Sequence, residues 1–115
     1  MRYTRSEAKD DAFENWHVVC NVILPSFTTD LKDINEAGIR HDVRRNMAQG
    51  FWGTLLVAEC GTTKDEMKRF MEFAVDEAGG NHNLLLHGTF DTADDIVEMA
   101  KIGEAVGMDG LLLGH

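Results

Sequence analysis

Four short apolar runs, separated by amphipathic segments, are the feature that most constrains the fold of this chain. The runs begin about every 30 residues and are rich in Val, Leu and Ile. They comprise residues 17–24, 54–58, 83–87 and 109–113. Continuous apolar strands that alternate with helices are typical of parallel sheets covered by helices. The sequence therefore predicts an α/β protein with the order α-β-α-β-α-β-α-β.

Capping and spacing signals predict the first two helices. In residues 1–16, Thr4 and Glu7 have the spacing of a capping box, and apolar residues fall on one side of the predicted helix. Residues 34–49 carry apolar residues four positions apart, and Gly50 follows them. A glycine at this point is typical of the end of a helix.

Similar signals predict the last two helices. Thr63 and Glu66 have capping-box spacing at the start of the third helix, and Gly79 follows its last apolar residue. Thr92 is predicted to cap the fourth helix, which is expected to end near Gly107.

The order of elements fits either an open doubly wound sheet or a barrel, and two observations favour the barrel. No glycine-rich phosphate-binding motif follows a predicted strand. The sequence also ends on an apolar strand, whereas a complete (βα)8 barrel needs about 250 residues. We therefore expect an N-terminal helix in residues 1–16, followed in residues 17–115 by the N-terminal half of a (βα)8 TIM barrel, truncated after strand four.

Composition excludes several classes of partner. The net charge is −9 and the basic residues form no dense cluster, which argues against nucleic acid or an anionic membrane as partner. No apolar run approaches the roughly 20 residues of a membrane span. The two cysteines, Cys20 and Cys60, form neither a disulfide framework nor a zinc motif, and we expect reduced, partly buried thiols. The expected location is the cytoplasm.

Polar side chains follow each predicted strand directly. In parallel βα folds the active site forms where the strands end, so these residues are the candidates for a binding site. They are Ser26, Thr28, Glu59, Cys60, Thr62, Thr63, His87, Thr89 and His115. Structural roles are open for several: Thr63 as a helix cap, Thr89 in a turn and Cys60 in packing. A carboxylate directly after a buried strand, such as Glu59, needs a partner or a function.

Five segments have an order and spacing that resemble one enzyme family. They are residues 23–27 with 33–37, 50–57, 65–70, 87–92 and 107–113. In this order they are similar to the first four βα units of the dihydrodipicolinate synthase and N-acetylneuraminate lyase family of pyruvate-dependent aldolases. The resemblance covers the chain from about residue 20 to its end.

The resemblance implies a lyase or aldolase that acts on a 2-oxo acid without a cofactor or metal. A lysine amine would form a Schiff base with the keto acid and a tyrosine would relay protons. Both would lie beyond His115, because none of the lysines at 9, 32, 64, 68 and 101 ends an apolar strand. We therefore expect the 115-residue chain alone to be inactive. By the same resemblance, the complete protein would be a homo-oligomer, a tetramer.

One loop departs from the family pattern. The family has Gly-Thr-Thr-Gly-Glu after strand two, where the threonines hold the pyruvate carboxylate, and this chain has the sequence of residues 59–64. Matching by letters assigns that role to Thr62 and Thr63, and matching by distance from the strand assigns it to Glu59 and Cys60. Both alignments are open. The substrate-binding candidates are Ser26, Glu59, Cys60, Thr62, Thr63 and His87.

Two other functions are compatible with the sequence. Glu59, His87 and His115 each close a strand and could bind a metal in a metal-dependent barrel enzyme. They come from three different strands and lack a local pair such as HxH, so each is also explained by a structural role. The third possibility is a non-catalytic interaction module built on half a barrel.

Overall fold

Four helices and one sheet make up the parts of the chain that the structure describes, a computed structural model covering residues 3–58 and 60–113. The strands are ordered β1-β2-β3-β4 and all neighbouring pairs are parallel. This confirms the predicted α/β order. The elements are α1 (Ala8–Asn15), β1 (Cys20–Ile23), α2 (Glu36–Ala48), β2 (Gly53–Leu56), α3 (Lys64–Ala78), β3 (Asn83–Gly88), α4 (Ala93–Val106) and β4 (Gly110–Leu113).

The first helix begins later than the capping-box spacing predicts. The backbone N–H and the hydroxyl of Thr4 donate to Glu7 Oε2 at 2.8 and 2.9 Å. However, Glu7 itself precedes α1, and no side chain caps that helix. The Thr4–Glu7 pair therefore closes a turn before the helix, and α1 begins at Ala8.

The capping predictions for the third and fourth helices are confirmed. Thr63 Oγ1 accepts from Glu66 N at 3.1 Å, and Glu66 Oε1 accepts from Thr63 N at 3.3 Å. Gly79 ends α3 with φ 56°, the left-handed conformation that glycine adopts without strain. Thr92 Oγ1 accepts from Asp95 N at 3.1 Å at the start of α4.

Helices α2, α3 and α4 pack on one face of the sheet, which we call the covered face. The side chains in this layer are almost completely excluded from solvent, because the apolar sides of the helices and every second residue of the strands point towards each other. They include Ile23, Ile39, Val43, Leu56, Met67, Phe70, Met71, Leu84, Leu86 and Met99. None of the helices in the described ranges is both long and apolar enough to cross a bilayer.

A short series of hydrogen-bonded polar side chains runs through the covered layer, half-buried at Asn21 and buried at Asn46, Thr54 and His82. Asn21 Nδ2 donates to Asn46 Oδ1 at 2.8 Å, and Asn46 Nδ2 donates to Thr54 Oγ1 at 2.9 Å. Thr54 Oγ1 also lies 2.8 Å from His82 Nε2. These hydrogen bonds give the buried polar groups the partners that they need. They also link β1, α2, β2 and the segment before β3.

The opposite face of the sheet, which we call the open face, is aliphatic and much less covered. Val22 and Leu112 are 49% and 50% exposed. Towards the N-terminal end of the strands, the Trp16 ring lies over Gly110, where an added Cβ would overlap it. Trp16 also meets Trp52 edge-on, with ring centroids 5.3 Å apart. Trp16, which directly follows α1, thus covers the sheet at the end opposite to the predicted site.

The strands are aligned so that their C-terminal ends form one edge. Ile23 pairs with Leu56, Leu56 with Leu86, and Leu86 with Leu111. Residues that follow these four positions therefore lie along one edge, which we call the C-terminal edge. This is the place where parallel βα folds bind ligands.

Candidate active site

Ser26 follows β1 and lies against the beginning of α2. Its carbonyl accepts a hydrogen bond from Asn35 N at 2.6 Å, and its side chain packs beside Gly38. A Cβ at Gly38 would come within 3.1 Å of Ser26 Cβ, so the glycine allows this close approach. Ser26 is thereby placed at the C-terminal edge and is partly buried.

The loop after β2 uses its two threonine hydroxyls locally. Thr62 Oγ1 donates to Ala58 O at 3.4 Å and lies 3.9 Å from Met67 Sδ. Thr63 Oγ1 donates to Glu66 Oε1 at 3.0 Å and also caps α3. Cys60 is a partly buried free thiol, as predicted. Glu59, the other residue of the alternative alignment, lies outside the described residues.

His87 lies at the C-terminal end of β3 on the open face. Leu86 and Gly88 on either side of it are buried, and successive strand residues alternate between faces. Its Nε2 lies 3.0 Å from Thr89 Oγ1. Its Nδ1 is buried and has no hydrogen-bond partner among the described residues. A buried polar atom without a partner is rare enough to require an explanation.

The pairing of His87 with Thr89 was not predicted from the sequence, which placed both residues among the candidates at the strand ends and left a turn role open for Thr89. The available signal was the spacing, because residues two positions apart on a strand point to the same face. That spacing gives proximity, although it does not give the hydrogen bond.

All five lysines are exposed and lie outside the strands. This confirms the prediction that none of them ends an apolar strand. Lys64 is the most strongly bound of them to carboxylates. Its Nζ lies 2.5 Å from Asp95 Oδ1 and 2.6 Å from Glu98 Oε2, and these contacts raise the pKa of Lys64 above its ordinary value. An amine held protonated in this way is a poor nucleophile.

A three-residue metal site is not formed by the residues that the structure describes. No group of three His, Cys, Asp or Glu side chains is close enough there to bind a metal ion. Of the three predicted alternative ligands, His87 is described, whereas Glu59 and His115 are not. The metal-dependent alternative therefore stays a prediction.

Comparisons with known proteins place the chain among related enzymes. It is 32% identical to the 4-hydroxy-tetrahydrodipicolinate synthase of Methanopyrus kandleri, over 82% of this chain and 33% of that protein. No protein-family model matches it. The solved structure of CdNal from Clostridium difficile, in complex with mannosamine, is 27% identical with a TM-score of 0.75. The N-acetylneuraminate lyase of Fusobacterium nucleatum, complexed with pyruvate, is 25% identical with a TM-score of 0.75.

Both structural matches cover 84% of this chain and 34% of the other chain. The chain therefore spans about a third of the length of the relatives it matches. The fold is that of the (βα) barrel enzymes, of which the described residues supply four parallel strands. Within that class, the chain is similar to members of the dihydrodipicolinate synthase and N-acetylneuraminate lyase family, and the predicted resemblance is confirmed.

Proposed function

We propose that this chain is the first half of a (βα)8 barrel enzyme. The enzyme would be a lyase or aldolase that acts on a 2-oxo acid through a lysine Schiff base. Residues 1–16 would contribute the leading helix and residues 17–115 the first four strands. We call the complete polypeptide the parent. The observation that carries the proposal is the joint match of sequence and fold to this family over more than four fifths of the chain.

The open face supports a half-barrel arrangement. On this face Val22 and Leu112 are about half exposed and Leu55 is partly exposed, whereas Leu85 is buried in the region near Trp16. In a closed barrel such residues fill the interior in layers. A second set of four strands would cover this surface and bring its own C-terminal ends to the same edge.

The exposure of all five lysines supports a Schiff-base lysine elsewhere in the parent. A reactive amine needs a lowered pKa, from an apolar setting or from nearby cations. Here each lysine is exposed, and Lys64 and Lys68 are paired with carboxylates. We accordingly assign to the described residues a substrate-binding role and to the second half of the barrel the covalent chemistry.

Of the two alignments of the loop after β2, the hydroxyl contacts favour the one based on distance. The hydroxyl protons of Thr62 and Thr63 are both directed to acceptors of their own loop or helix. Ser26, Cys60 and His87 remain as candidates for contact with the substrate, together with Glu59. A carboxylate at position 59 would repel a substrate carboxylate unless it were protonated or paired.

The test is to trap the imine in the parent. The amine condenses with the keto group of pyruvate and releases one water, and borohydride then reduces the C=N bond to a stable amine. We expect a mass increase that maps to one lysine of the second half, and no loss of activity with a chelator. Activity that a chelator abolishes and zinc restores, without an adduct, would contradict the proposal and favour a metal enzyme.

The 115-residue chain alone provides the matched control. We expect no turnover of pyruvate with an aldehyde and no reduced adduct, because none of its lysines is set to attack a carbonyl. An adduct on Lys64 or Lys68 in this chain would overturn the assignment of the covalent step to the second half.

A further inference from the structure

The His87–Thr89 pair has a hydrogen-bond direction that the burial of Nδ1 determines. If Thr89 donated to Nε2, the ring proton would be on Nδ1, leaving a buried N–H without an acceptor among the described residues. If Nε2–H donates to Thr89 Oγ1, Nδ1 carries a lone pair instead. An unpaired buried acceptor is tolerated better than an unpaired buried N–H. The second arrangement is therefore favoured.

In this arrangement the hydroxyl proton of Thr89 is left to donate elsewhere. The other threonines at the C-terminal edge are different in this respect. Thr28 donates to Asp30 Oδ1 at 2.6 Å, Thr62 to Ala58 O and Thr63 to Glu66 Oε1. The imidazole of His87 thus orients the hydroxyl of Thr89. The hydroxyl proton has no acceptor among the described residues.

The residues around this donor are mostly aliphatic. His87 pairs in register with Leu112. Two residues towards the N-terminal ends of the strands, Val22, Leu55 and Leu85 are in register with each other on the open face. The inward side chains near the C-terminal edge are therefore aliphatic, with the imidazole as the polar exception among the described strands. Thr89 lies just past the end of β3 and is partly exposed, so a ligand can reach it.

We propose that Thr89 donates a hydrogen bond to a carboxylate or keto oxygen of the bound 2-oxo acid, and that His87 is the positioning residue that orients its hydroxyl. The inference rests on the proposed function and adds a contact from the third strand to it. It supplies the hydroxyl donor that Thr62 and Thr63 cannot provide while their protons are used locally.

The experiment measures pyruvate affinity in the parent by titration calorimetry, with borohydride trapping run in parallel. Thr89→Val removes the hydroxyl at nearly constant volume, and we expect at least about tenfold weaker binding, equivalent to about 1.4 kcal/mol. Thr89→Ser keeps the hydroxyl and should restore most of the affinity. Thr29→Val, the same change at an exposed position of the β1–α2 loop, should leave it unchanged.

His87→Phe separates positioning from direct contact. It should weaken pyruvate binding in the wild-type background and have little further effect in Thr89→Val, because it acts through that hydroxyl. In addition, ¹⁵N spectra of the His87 ring should show the proton on Nε2, a signature that a purely packed imidazole does not require.

The outcomes separate this inference from the proposed function. If wild-type parent forms the pyruvate adduct and Thr89→Val binds pyruvate normally, the inference is wrong and the proposed function stands. If the ring proton resides on Nδ1, the inference is wrong as well. If wild-type parent neither binds pyruvate nor forms an adduct, the proposed function fails and the inference fails with it.

Discussion

The two faces of the sheet use similar aliphatic residues but differ in what covers them. On the covered face, Leu84 is 2% exposed beneath the helices, whereas Leu112 on the open face is 50% exposed. Burial of apolar surface contributes to stability roughly in proportion to the area removed from water. Burial on the covered face therefore contributes most of the hydrophobic stabilisation of the folded chain. The open face is available for ligands or for further strands.

Matched Leu→Ala substitutions test this difference most directly. Leu84→Ala should lower the free energy of unfolding of the chain by about 2–5 kcal/mol, because it leaves a cavity beneath the helices. Leu112→Ala should cost less than about 1 kcal/mol, since half of that side chain is already exposed. Urea unfolding followed by circular dichroism gives both values. Equal losses would mean that the open face is covered in the isolated chain.

The series of hydrogen-bonded polar side chains provides a second test of the covered face. Asn46→Leu removes the partner of both Asn21 and Thr54 and should cost about 1–3 kcal/mol, because it leaves polar atoms buried without a hydrogen bond. Asn15→Leu, at an exposed position of α1, should change the unfolding midpoint little. If Asn46→Leu left the free energy of unfolding unchanged, water or a rearrangement of the neighbouring side chains would have replaced the lost hydrogen bonds.

The open edges of the sheet predict self-association of the isolated chain. Strands β1 and β4 each have an unpaired edge among the described residues, and Leu113 on β4 is 68% exposed. Edge strands of this kind pair with other chains, and a charged side chain opposes such pairing. Leu113→Lys should weaken association about tenfold, or about 1.4 kcal/mol. Leu31→Lys, on an exposed loop, is the control.

Sedimentation velocity at high micromolar concentration measures this effect. A wild-type chain that remained a stable monomer there would contradict the idea that its edges and open face await the rest of a barrel.

The smallest expected effect is a pH dependence on the outer surface of the covering helices. Arg44 and Arg40 donate to Glu77 at 2.7 and 3.3 Å and hold the pKa of Glu77 below its ordinary value. Because the folded-state pKa is depressed, the stabilisation is present above the unfolded pKa, about 4.3, and is lost as pH falls through the lower folded value.

Glu77→Gln should therefore reduce the unfolding midpoint slightly at pH 7, and the difference from wild type should disappear at acidic pH. Adding Arg44→Gln to Glu77→Gln should cause little further loss if the pair acts as a unit. A difference that persisted below pH 3 would indicate a packing role for Glu77.

Local signals predicted much of the fold, with an instructive failure at the first helix. The Thr63–Glu66 and Thr4–Glu7 pairs have identical spacing, and both form hydrogen bonds. Only the Thr63–Glu66 pair lies directly at the start of a helix, whereas Thr4–Glu7 closes a turn and α1 begins after it, at Ala8. Capping-box spacing alone therefore does not fix the residue at which a helix begins.

The candidate site was predicted less completely for a physical reason. The position of His87 at a strand end follows from the apolar pattern. Its bond to Thr89 and the lack of a partner for Nδ1 depend on side-chain rotamers and on neighbours from other strands. The bond to Thr89 depends on rotamers within one segment, and the neighbours of Nδ1 depend on how the strands pair, which no local sequence signal specifies.

The position of Trp16 over Gly110 has a consequence for the time course of synthesis. Trp16, which follows the first helix, rests on β4, and Tyr3 also donates to the carbonyl of Asp109, 106 residues later in the chain. At about 5–20 residues per second, a ribosome takes roughly 5–20 s to make the residues between them. During that interval the aromatic rings of the N-terminal segment have no β4 to pack on. A nascent chain halted before Asp109 therefore has the Trp16–Trp52 contact available but lacks the contact with β4, so the segment made first gains its final packing partner only when β4 is made.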